Sequence, residues 1–224
     1  MSTLLLRCAG PMQSWGTRSR FQERDTEREP TKSGIIGLIS AAMGIDRDTA
    51  IDNKLLSLRI GIRVDREGTV QRDYHTTLAV LKSDKSGTDT QLSNRAYLAD
   101  ASFLVGLEGD DYDLLCRIHK KLANPVWPTF LGRKAFVPCP PVYLHNGLQE
   151  NKPLEIALRN YPVDVPVNKK QEDPMHLRLV LESDNPDTGE RRWDQPVSFE
   201  HGKRRFACRF VETRWITVPS QEED

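Results

Sequence analysis

Apolar residues alternate with polar stretches along the first part of the chain. Residues 3–8 form a short apolar run closed by turn residues, which predicts a buried strand. The polar stretch 9–32 has no hydrophobic period and predicts a long loop. Helical spacing of the next apolar positions predicts a helix that Thr31 or Ser33 can cap and Gly44 can end.

The next elements flank a long insertion. A short helix is expected at 47–57, and clean alternation predicts a half-buried strand at 59–65. Its apolar face holds Ile60, Ile62 and Val64, and its polar face holds Arg59, Arg63 and Asp65. Residues 70–100 predict a β-hairpin whose polar tip, 83–94, has too few apolar residues to fold alone.

A strand at 101–108, a helix at about 111–123 and a proline-broken strand at 134–144 complete the first part of the chain. The order of elements predicts an α+β fold, a ferredoxin-like (RRM-like) βαββαβ unit with an inserted hairpin. RRM modules bind RNA on the open face of the sheet. This unit, called the palm below, would span residues 1–145.

The remainder, residues 146–224, predicts a β-rich C-terminal extension packed on the palm as part of one structural unit. A short helix near 153–160 precedes a proline-punctuated polar connector at 160–173. Strand-like patterns follow at 175–182 and 205–218, and they predict an antiparallel sheet beside the palm.

Composition restricts the function classes. The 224 residues carry 32 basic and 32 acidic side chains, so the formal net charge is zero. A protein that binds RNA alone usually has a basic excess, so a neutral chain would share its RNA with basic neighbours. Four scattered cysteines and the lack of a long apolar run favour a reducing cytoplasm and no membrane span. No motif requires a metal or another cofactor.

The base of the predicted hairpin holds the residue types that bind single-stranded RNA, since arginines contact phosphates and aromatic rings stack on bases. An ordinary hairpin remains the alternative. The candidates are Arg72, Tyr74, His75, Arg95 and Tyr97.

Three further segments are candidate contacts with RNA. In the loop after the first strand, Trp15 could stack on a base beside Gln13, or it could plug the core. Arg18 follows among interleaved acidic residues, which are also typical of a solvated loop. The helix start with Lys32 and Ser33 could cradle a phosphate or be a plain capped terminus.

Two basic segments follow. Arg133 and Lys134 come directly after a turn glycine, where they could contact phosphates. In 201–210, the densest basic stretch, three apolar residues share one face of a predicted strand and two arginines share the other. A basic outer face would suit a polyanion, and a solvated edge strand is the alternative. The apolar positions are Phe206, Cys208 and Phe210, and the basic positions are Arg205 and Arg209.

Five segments, in order, resemble the CasD family of subunits from type I-E CRISPR surveillance complexes (Cascade), within the RAMP superfamily. The segments are LLLRCAGPMQSWG at 4–16, PTKSGIIGLISAAMGI at 30–45, RDYHT at 72–76, YLADASF at 97–103 and FLGRKAFVPCPPVYL at 130–144. They cover about the first 145 residues.

The resemblance implies a subunit that binds the 5′ handle of the CRISPR RNA (crRNA) and caps one end of the complex. The hairpin at about 70–100 would act as a thumb that contacts the adjoining CasC-like backbone subunit. A CasA-like large subunit would be the second protein partner, and target DNA would be reached only through the complex. The guide reads the target by base pairing, so this chain would recognise shape and handle.

The resemblance leaves two functions of different classes open. In type I-E a separate nuclease cuts the precursor RNA, which implies a binding subunit without catalysis. In type I-C the equivalent subunit is a metal-independent endoribonuclease, for which Tyr74 and His75 with Lys32 or Lys134 would be the candidates. Adjacent strand positions face opposite sides, so Tyr74 and His75 cannot easily act together. A third, generic possibility is an RRM-like protein outside CRISPR systems.

Overall fold

The computed structural model describes residues 1–19, 22–163, 175–187 and 189–218. Its strands are β1 (Ser2–Ala9), β2 (Met12–Gln13), β3 (Glu23–Arg24), β4 (Arg59–Arg66), β5 (Thr69–Leu81), β6 (Thr88–Ala99), β7 (Ser102–Gly109), β8 (Leu148–Gln149), β9 (Met175–Ser183), β10 (Glu190–Ser198) and β11 (Arg205–Val218). Its helices are α1 (Lys32–Met43), α2 (Asn53–Leu56), α3 (Tyr112–Ala123) and α4 (Leu154–Asn160). The predicted α+β class is confirmed.

A seven-stranded sheet with the order β10-β11-β9-β4-β7-β1-β8 forms the centre of the molecule. Every neighbouring pair in it is antiparallel. The strands of the C-terminal extension therefore continue the central sheet through the β4–β9 pairing, and they do not form the separate sheet expected beside the palm. A second, smaller sheet contains β2, β3, β5 and β6.

Side chains of β1 alternate between two hydrophobic clusters on opposite faces of the central sheet. Leu4 and Leu6 join the cluster that contains α1 and α3, whereas Leu5 joins the cluster that contains α4. As predicted, Thr31 caps α1 by accepting a hydrogen bond from Gly34 N–H, and Gly44 ends it with a φ of 73°. Because α4 covers the second face at β4, β7 and β1, the open RRM-type face expected for RNA is not present there.

Strand β4 is buried on both sides, so the half-buried strand expected at 59–65 is wrong on its polar side. The Arg63 side chain is 0% exposed and pairs with Asp65 at 2.6 Å. Its guanidinium also donates to the carbonyl oxygens of Leu158 at 2.6 Å and Pro162 at 3.1 Å, at the end of α4. The charged positions of β4 thus hold α4 onto the sheet.

Two predicted elements are much shorter than expected. The helix expected at 47–57 is reduced to α2, which Asp52 caps by accepting from Lys54 N–H. The strand expected at 134–144 is irregular, because its prolines lack N–H donors, and the two-residue β8 pairs with β1 further along the chain. Two hydrogen bonds of 2.9 Å still fasten the irregular segment to β1, from Cys139 N–H to Ala9 O and from Arg7 N–H to Val142 O.

Three elements of the C-terminal part lie close to their predicted positions, namely α4, β9 and β11. Strand β10 was missed, because its sequence ERRWDQPVS is charged and contains a proline. The part of the predicted connector at 164–173 lies outside the described residues. None of the described helices is long and apolar enough to cross a membrane.

We expect Arg63→Ala to lower the free energy of unfolding by about 3–5 kcal/mol, since it removes a buried guanidinium that pairs with Asp65 and donates to the carbonyl oxygens at the end of α4. Urea unfolding followed by circular dichroism measures the change. Arg66→Ala, on the exposed end of the same strand, is the matched control and should stay within about 0.5 kcal/mol of wild type. Equal stability of the two variants would contradict the role of Arg63 in holding the end of α4 onto the sheet.

Candidate nucleic-acid interface

The base of the β5–β6 hairpin is held by two short strands from the loop that follows β1. On one edge, β2 pairs antiparallel with β6, joining Gln13 to Leu98. Near it, β3 pairs parallel with β6 and places Arg24 beside Arg95. The long loop is thereby anchored to the hairpin, although its sequence shows no strand pattern.

The hairpin register separates the five predicted RNA-binding residues into two groups. Directly opposed positions share a face, and Asp73 opposes Arg95 while His75 opposes Ser93. Tyr97 lies two positions from Arg95 and therefore shares that face. Arg72 and Tyr74 occupy the other face. We call the first face, with Arg24 and Arg95, the basic face of the hairpin.

Three arginines from separate segments converge on the basic face. Arg24 comes from β3, Arg95 from β6 and Arg133 from the loop after α3. The Arg133 guanidinium donates to the Ala96 carbonyl at 2.8 Å, and Arg95 donates to the Ser93 hydroxyl at 3.0 Å. Among the described residues, none of the three forms an ion pair with a carboxylate. Partial burial and then the positive charge of Arg95 lower the pKa of Arg133.

Aromatic packing fixes Arg133 in place. Its guanidinium lies 5.3 Å from the centre of the Phe136 ring, and Phe136 packs on Tyr97 with ring centres 5.9 Å apart. Tyr97 is thus half-buried and serves as a support, although it was predicted to stack on a base. Lys134 is exposed beside this support. An open groove starts at Arg24 and Arg95 and runs along the hairpin.

Gln13 and Trp15 are structural residues, which corrects their predicted contact with RNA. Trp15 is 1% exposed, and its indole N–H donates to Gln13 Oε1 at 3.2 Å. The Gln13 amide nitrogen in turn donates to Ala101 O at 2.8 Å. Trp15 also lies so close to Gly34 that a Cβ there would come within 2.8 Å of the ring. The alternative of a hydrophobic plug is therefore the correct one.

The predicted phosphate cradle at the start of α1 is wrong, because a carboxylate of the protein already occupies it. Lys32 N–H donates to Asp194 Oδ2 at 2.8 Å. The Lys32 ammonium is 2% exposed and pairs with Glu182 at 2.9 Å. Ser33 is buried as well, with its hydroxyl 3.5 Å from that of Thr31. The dipole and free N–H groups that favour a phosphate here bind an internal anion instead.

Electrostatics agrees with a closed cluster at this helix start. Burial lowers the pKa of Lys32, and the charge of Glu182 offsets this only in part. Burial alone would raise the pKa of Asp194, but the hydrogen bonds and charge of Arg209 together with the hydrogen bond from Lys32 N–H outweigh it and hold that pKa below its usual value. Arg209 is 2.6 Å from Asp194 and is buried. The basic face expected at 201–210 is therefore turned inward at this residue.

Arg18 and the hairpin residues Arg72 and Tyr74 are exposed, so their predicted contact with RNA stays a prediction. The sequence did not distinguish Arg24 from the other arginines of its loop, since its position depends on pairing with a strand 71 residues away. In the part of the chain that the structure describes, no cluster of histidine, cysteine and acidic residues has the arrangement of a metal site.

Comparisons with known proteins agree on one family. The model of the family described as CRISPR-associated protein (Cas_Cas5) matches residues 3–212. The CRISPR system Cascade subunit CasD of Escherichia coli K12 is 32% identical over 200 residues, covering 83% of this chain and 88% of the relative. A solved structure described as a CRISPR RNA-guided surveillance complex has a chain that is 34% identical, with a TM-score of 0.84 over 98% of this chain and 92% of its own length. A crystal structure of a Cas protein is 42% identical, with a TM-score of 0.77 and 98% coverage of both chains.

Lys32→Ala should lower the free energy of unfolding by about 3–5 kcal/mol, because Glu182 and Asp194 would lose a buried cationic partner. Chemical denaturation provides the measurement. Lys134→Ala, which removes an exposed lysine, serves as the control and should change stability little. A Lys32→Ala variant as stable as wild type, yet weaker in RNA binding, would restore the phosphate role.

Proposed function

This chain belongs to the Cas5 family of CRISPR-associated proteins, and from that premise we propose that it is an RNA-binding subunit of a CRISPR surveillance complex that holds the 5′ handle of the crRNA at the basic face of the hairpin. The observation that carries the proposal is the convergence of Arg24, Arg95 and Arg133 from three segments, none of which forms an ion pair among the described residues. The guanidiniums repel one another, the charges of Asp73 and Asp25 offset this at Arg133 only in part, and a phosphodiester strand would relieve the repulsion.

The zero net charge is compatible with this proposal. Many charges are used inside the protein, as in the cluster of Lys32 and Arg209 with Glu182 and Asp194. Attraction for a polyanion therefore depends on where cations are left unpaired and not on their total number. Binding by the isolated chain should be weak and should strengthen when neighbouring subunits enclose the same strand.

The hairpin beyond its base is suited to protein contact. Tyr74 is 65% exposed, and other apolar side chains project from the same hairpin, namely Val70, Leu78, Leu81 and Leu92. A two-stranded hairpin that exposes apolar residues is stabilised when a partner covers them. We assign this thumb to the CasC-like backbone subunit, and the CasA-like large subunit remains the second proposed partner. Target DNA would be reached only through the complex, in the cytoplasm.

The thumb differs in one respect from the sequence expectation. Residues 88–94, expected to be part of an irregular tip, belong to β6 and pair with β5. The turn is confined to 82–87, where Asp84 accepts from Ser86 N–H at 2.9 Å. The proposed ordering of the tip on assembly thus concerns the turn and its adjoining apolar residues.

The ferredoxin-like assignment is part of the same proposal. Four strands have the order β4-β7-β1-β8, with all neighbours antiparallel and with α1 and α3 on one face. This order follows from a βαββαβ chain when β8 counts as its last strand. The hairpin is then an insertion between the second and third strands.

We propose that the subunit does not cleave RNA. The candidate residues for a ribonuclease do not lie together, since Tyr74 and His75 lie on opposite faces of the hairpin and Lys32 is buried in an ion pair. General acid–base catalysis needs its groups within hydrogen-bond reach of one phosphate. The candidate residues for a type I-C-like ribonuclease therefore do not form a single catalytic group.

Arg95→Ala and Arg133→Ala should each weaken binding of a 5′ handle RNA and flatten its salt dependence, by a slope of up to about 0.7 per lost contact. Fluorescence anisotropy across a salt series measures both. Arg117→Ala, an equal change of charge on the exposed side of α3, should leave the slope unchanged. The RNA should be recovered uncut. An unchanged salt slope in both Arg95→Ala and Arg133→Ala would contradict the proposal. So would cutting of the RNA that disappears in His75→Ala.

Replacing residues 78–90 with Asn-Gly should abolish entry into the RNA-loaded particle while leaving the protein folded. Thr77 and Gln91 oppose each other directly, so a two-residue turn can join them without changing the register of the hairpin base. Co-purification from cells that express all subunits measures incorporation, and thermal unfolding of the isolated variant is the control. Normal incorporation of a folded variant would exclude the thumb role.

A further inference from the structure

A row of aromatic side chains and arginines lies on the outer face of the β10–β11 hairpin. Strand β11 is regular, so Phe206, Cys208 and Phe210 share the face of Ile216, which packs in the α4 cluster. On β10, Arg191 opposes Phe210, and Trp193, at the register shift between Arg192 and Gln195, is 62% exposed. Its neighbours Arg192 and Asp194 pair with Glu29 and Arg209 on the other face, which leaves Trp193 on the face of Arg191. This set, with Arg204 at the turn, is called the outer aromatic row.

The outer aromatic row is accessible in the part of the chain that the structure describes. Helix α4 covers the same face of the sheet mainly at β4, β7 and β1, and its hydrophobic cluster reaches β11 at Ile216, beyond the outer aromatic row. Phe206, Cys208 and Phe210 are each half-buried. The other face of the same hairpin is closed, since Arg209 pairs there with Asp194. The face predicted to be basic and exposed is thus closed at Arg209, although Arg205 stays exposed, and the apolar face predicted to be buried is partly open.

Two guanidiniums stack on this row. Arg204 lies 4.9 Å from the centre of the Phe206 ring, and Arg191 lies 5.9 Å from that of Phe210. A guanidinium over a ring presents a planar cation, which can contact phosphate or stack on a base. From Arg204 to Phe210 the strand extends roughly 20 Å at its usual rise per residue.

The local positive charge is not neutralised. Among the described residues, the ion pairs of this hairpin involve Lys203, Arg192 and Arg209, but neither Arg191 nor Arg204. Burial and then the charge of Arg47 lower the pKa of Arg204. A hydrogen bond of 3.0 Å from His201 N–H to Asp48 holds the turn beside Arg204 in place.

We propose that the outer aromatic row is a second nucleic-acid surface, which binds a single strand by stacking on Trp193 and the guanidiniums of Arg191 and Arg204. Rings at regular strand spacing beside unpaired cations match the chemistry of single-stranded nucleic acid. A partner protein with an aliphatic surface would match the row less well, because the exposed arginines of the row would need acidic partners on that surface. Bases stack without sequence preference, so DNA and RNA share this chemistry.

The surface is independent of the proposed handle site. The arginines of the handle site lie on the smaller sheet and its flanking loops, whereas the outer aromatic row lies at the far end of the central sheet order, six positions from β8. The assignment therefore does not depend on the handle site. Variants at one surface should leave binding at the other intact.

The test uses the full chain with fluorescent oligothymidine and oligouridine strands about twelve nucleotides long, within the site sizes of stacking platforms. Trp193→Ala should weaken binding about tenfold, as expected for one lost stacking contact. Arg191→Ala with Arg204→Ala should also flatten the salt dependence. Ultraviolet cross-linking of the wild-type chain should label peptides that contain Trp193 or Phe206.

Trp215→Ala is the matched control, since Trp215 is 67% exposed on the neighbouring part of β11 but on the opposite face of the sheet. It should bind both oligomers as wild type does. Arg95→Ala provides the second control and should reduce handle RNA binding without changing cross-links at Trp193. A preference for one oligomer would identify DNA or RNA as the natural strand.

Two results would overturn the proposal. One is unchanged oligomer binding in Trp193→Ala, and poor entry of that variant into the assembled particle would then make the row a protein-docking surface. The other is an equal loss of oligomer binding in Trp215→Ala. Thermal unfolding of each variant ensures that a loss of binding is not a loss of fold.

Discussion

Two carboxylates, the buried Asp194 and the partly buried Glu182, join the start of α1 to the C-terminal strands. Asp194 of β10 accepts from the Lys32 backbone N–H, and Glu182 of β9 pairs with the Lys32 ammonium. Arg209 pairs with Asp194 and approaches Glu182 at 3.8 Å. Removing any one of these four charged side chains would leave an uncompensated charge in a water-poor environment, which would lower the free energy of unfolding. The C-terminal extension is therefore part of the central fold, and the N-terminal end of α1 is closed to external anions.

This cluster also decides where nucleic acid can bind. The central sheet is covered on one face by α1 and α3 and on part of the other by α4, so its middle is not accessible. Among the described residues, the arginines without an ion pair include those of the basic face of the β5–β6 hairpin and those of the outer aromatic row of β10–β11. A chain without net charge can bind a polyanion at such places, because unpaired cations create local fields.

Membership in the Cas5 family and the proposed binding sites have different physical origins. The segments through which this chain resembles the family include a buried indole, an internally capped helix and a tightly packed glycine, as in Trp15 and Gly34. These features stabilise the fold. The proposed RNA binding depends on Arg24, Arg95 and Arg133, which do not stand out in the sequence and become a group only when three segments meet.

The sequence by itself determined the local elements, since hydrophobic period and capping residues depend on neighbours along the chain. It predicted β1, α1, β7, α3, α4, β9 and β11 close to their observed places, and it predicted the long hairpin. Only the tertiary structure decided which polar residues face solvent. Lys32 meets Glu182 across 150 residues and Arg63 meets Leu158 across 95, so no local pattern reveals that these cations are already paired. For the same reason, the half-exposed row at Phe206 and Phe210 was mistaken for the inner face of its strand.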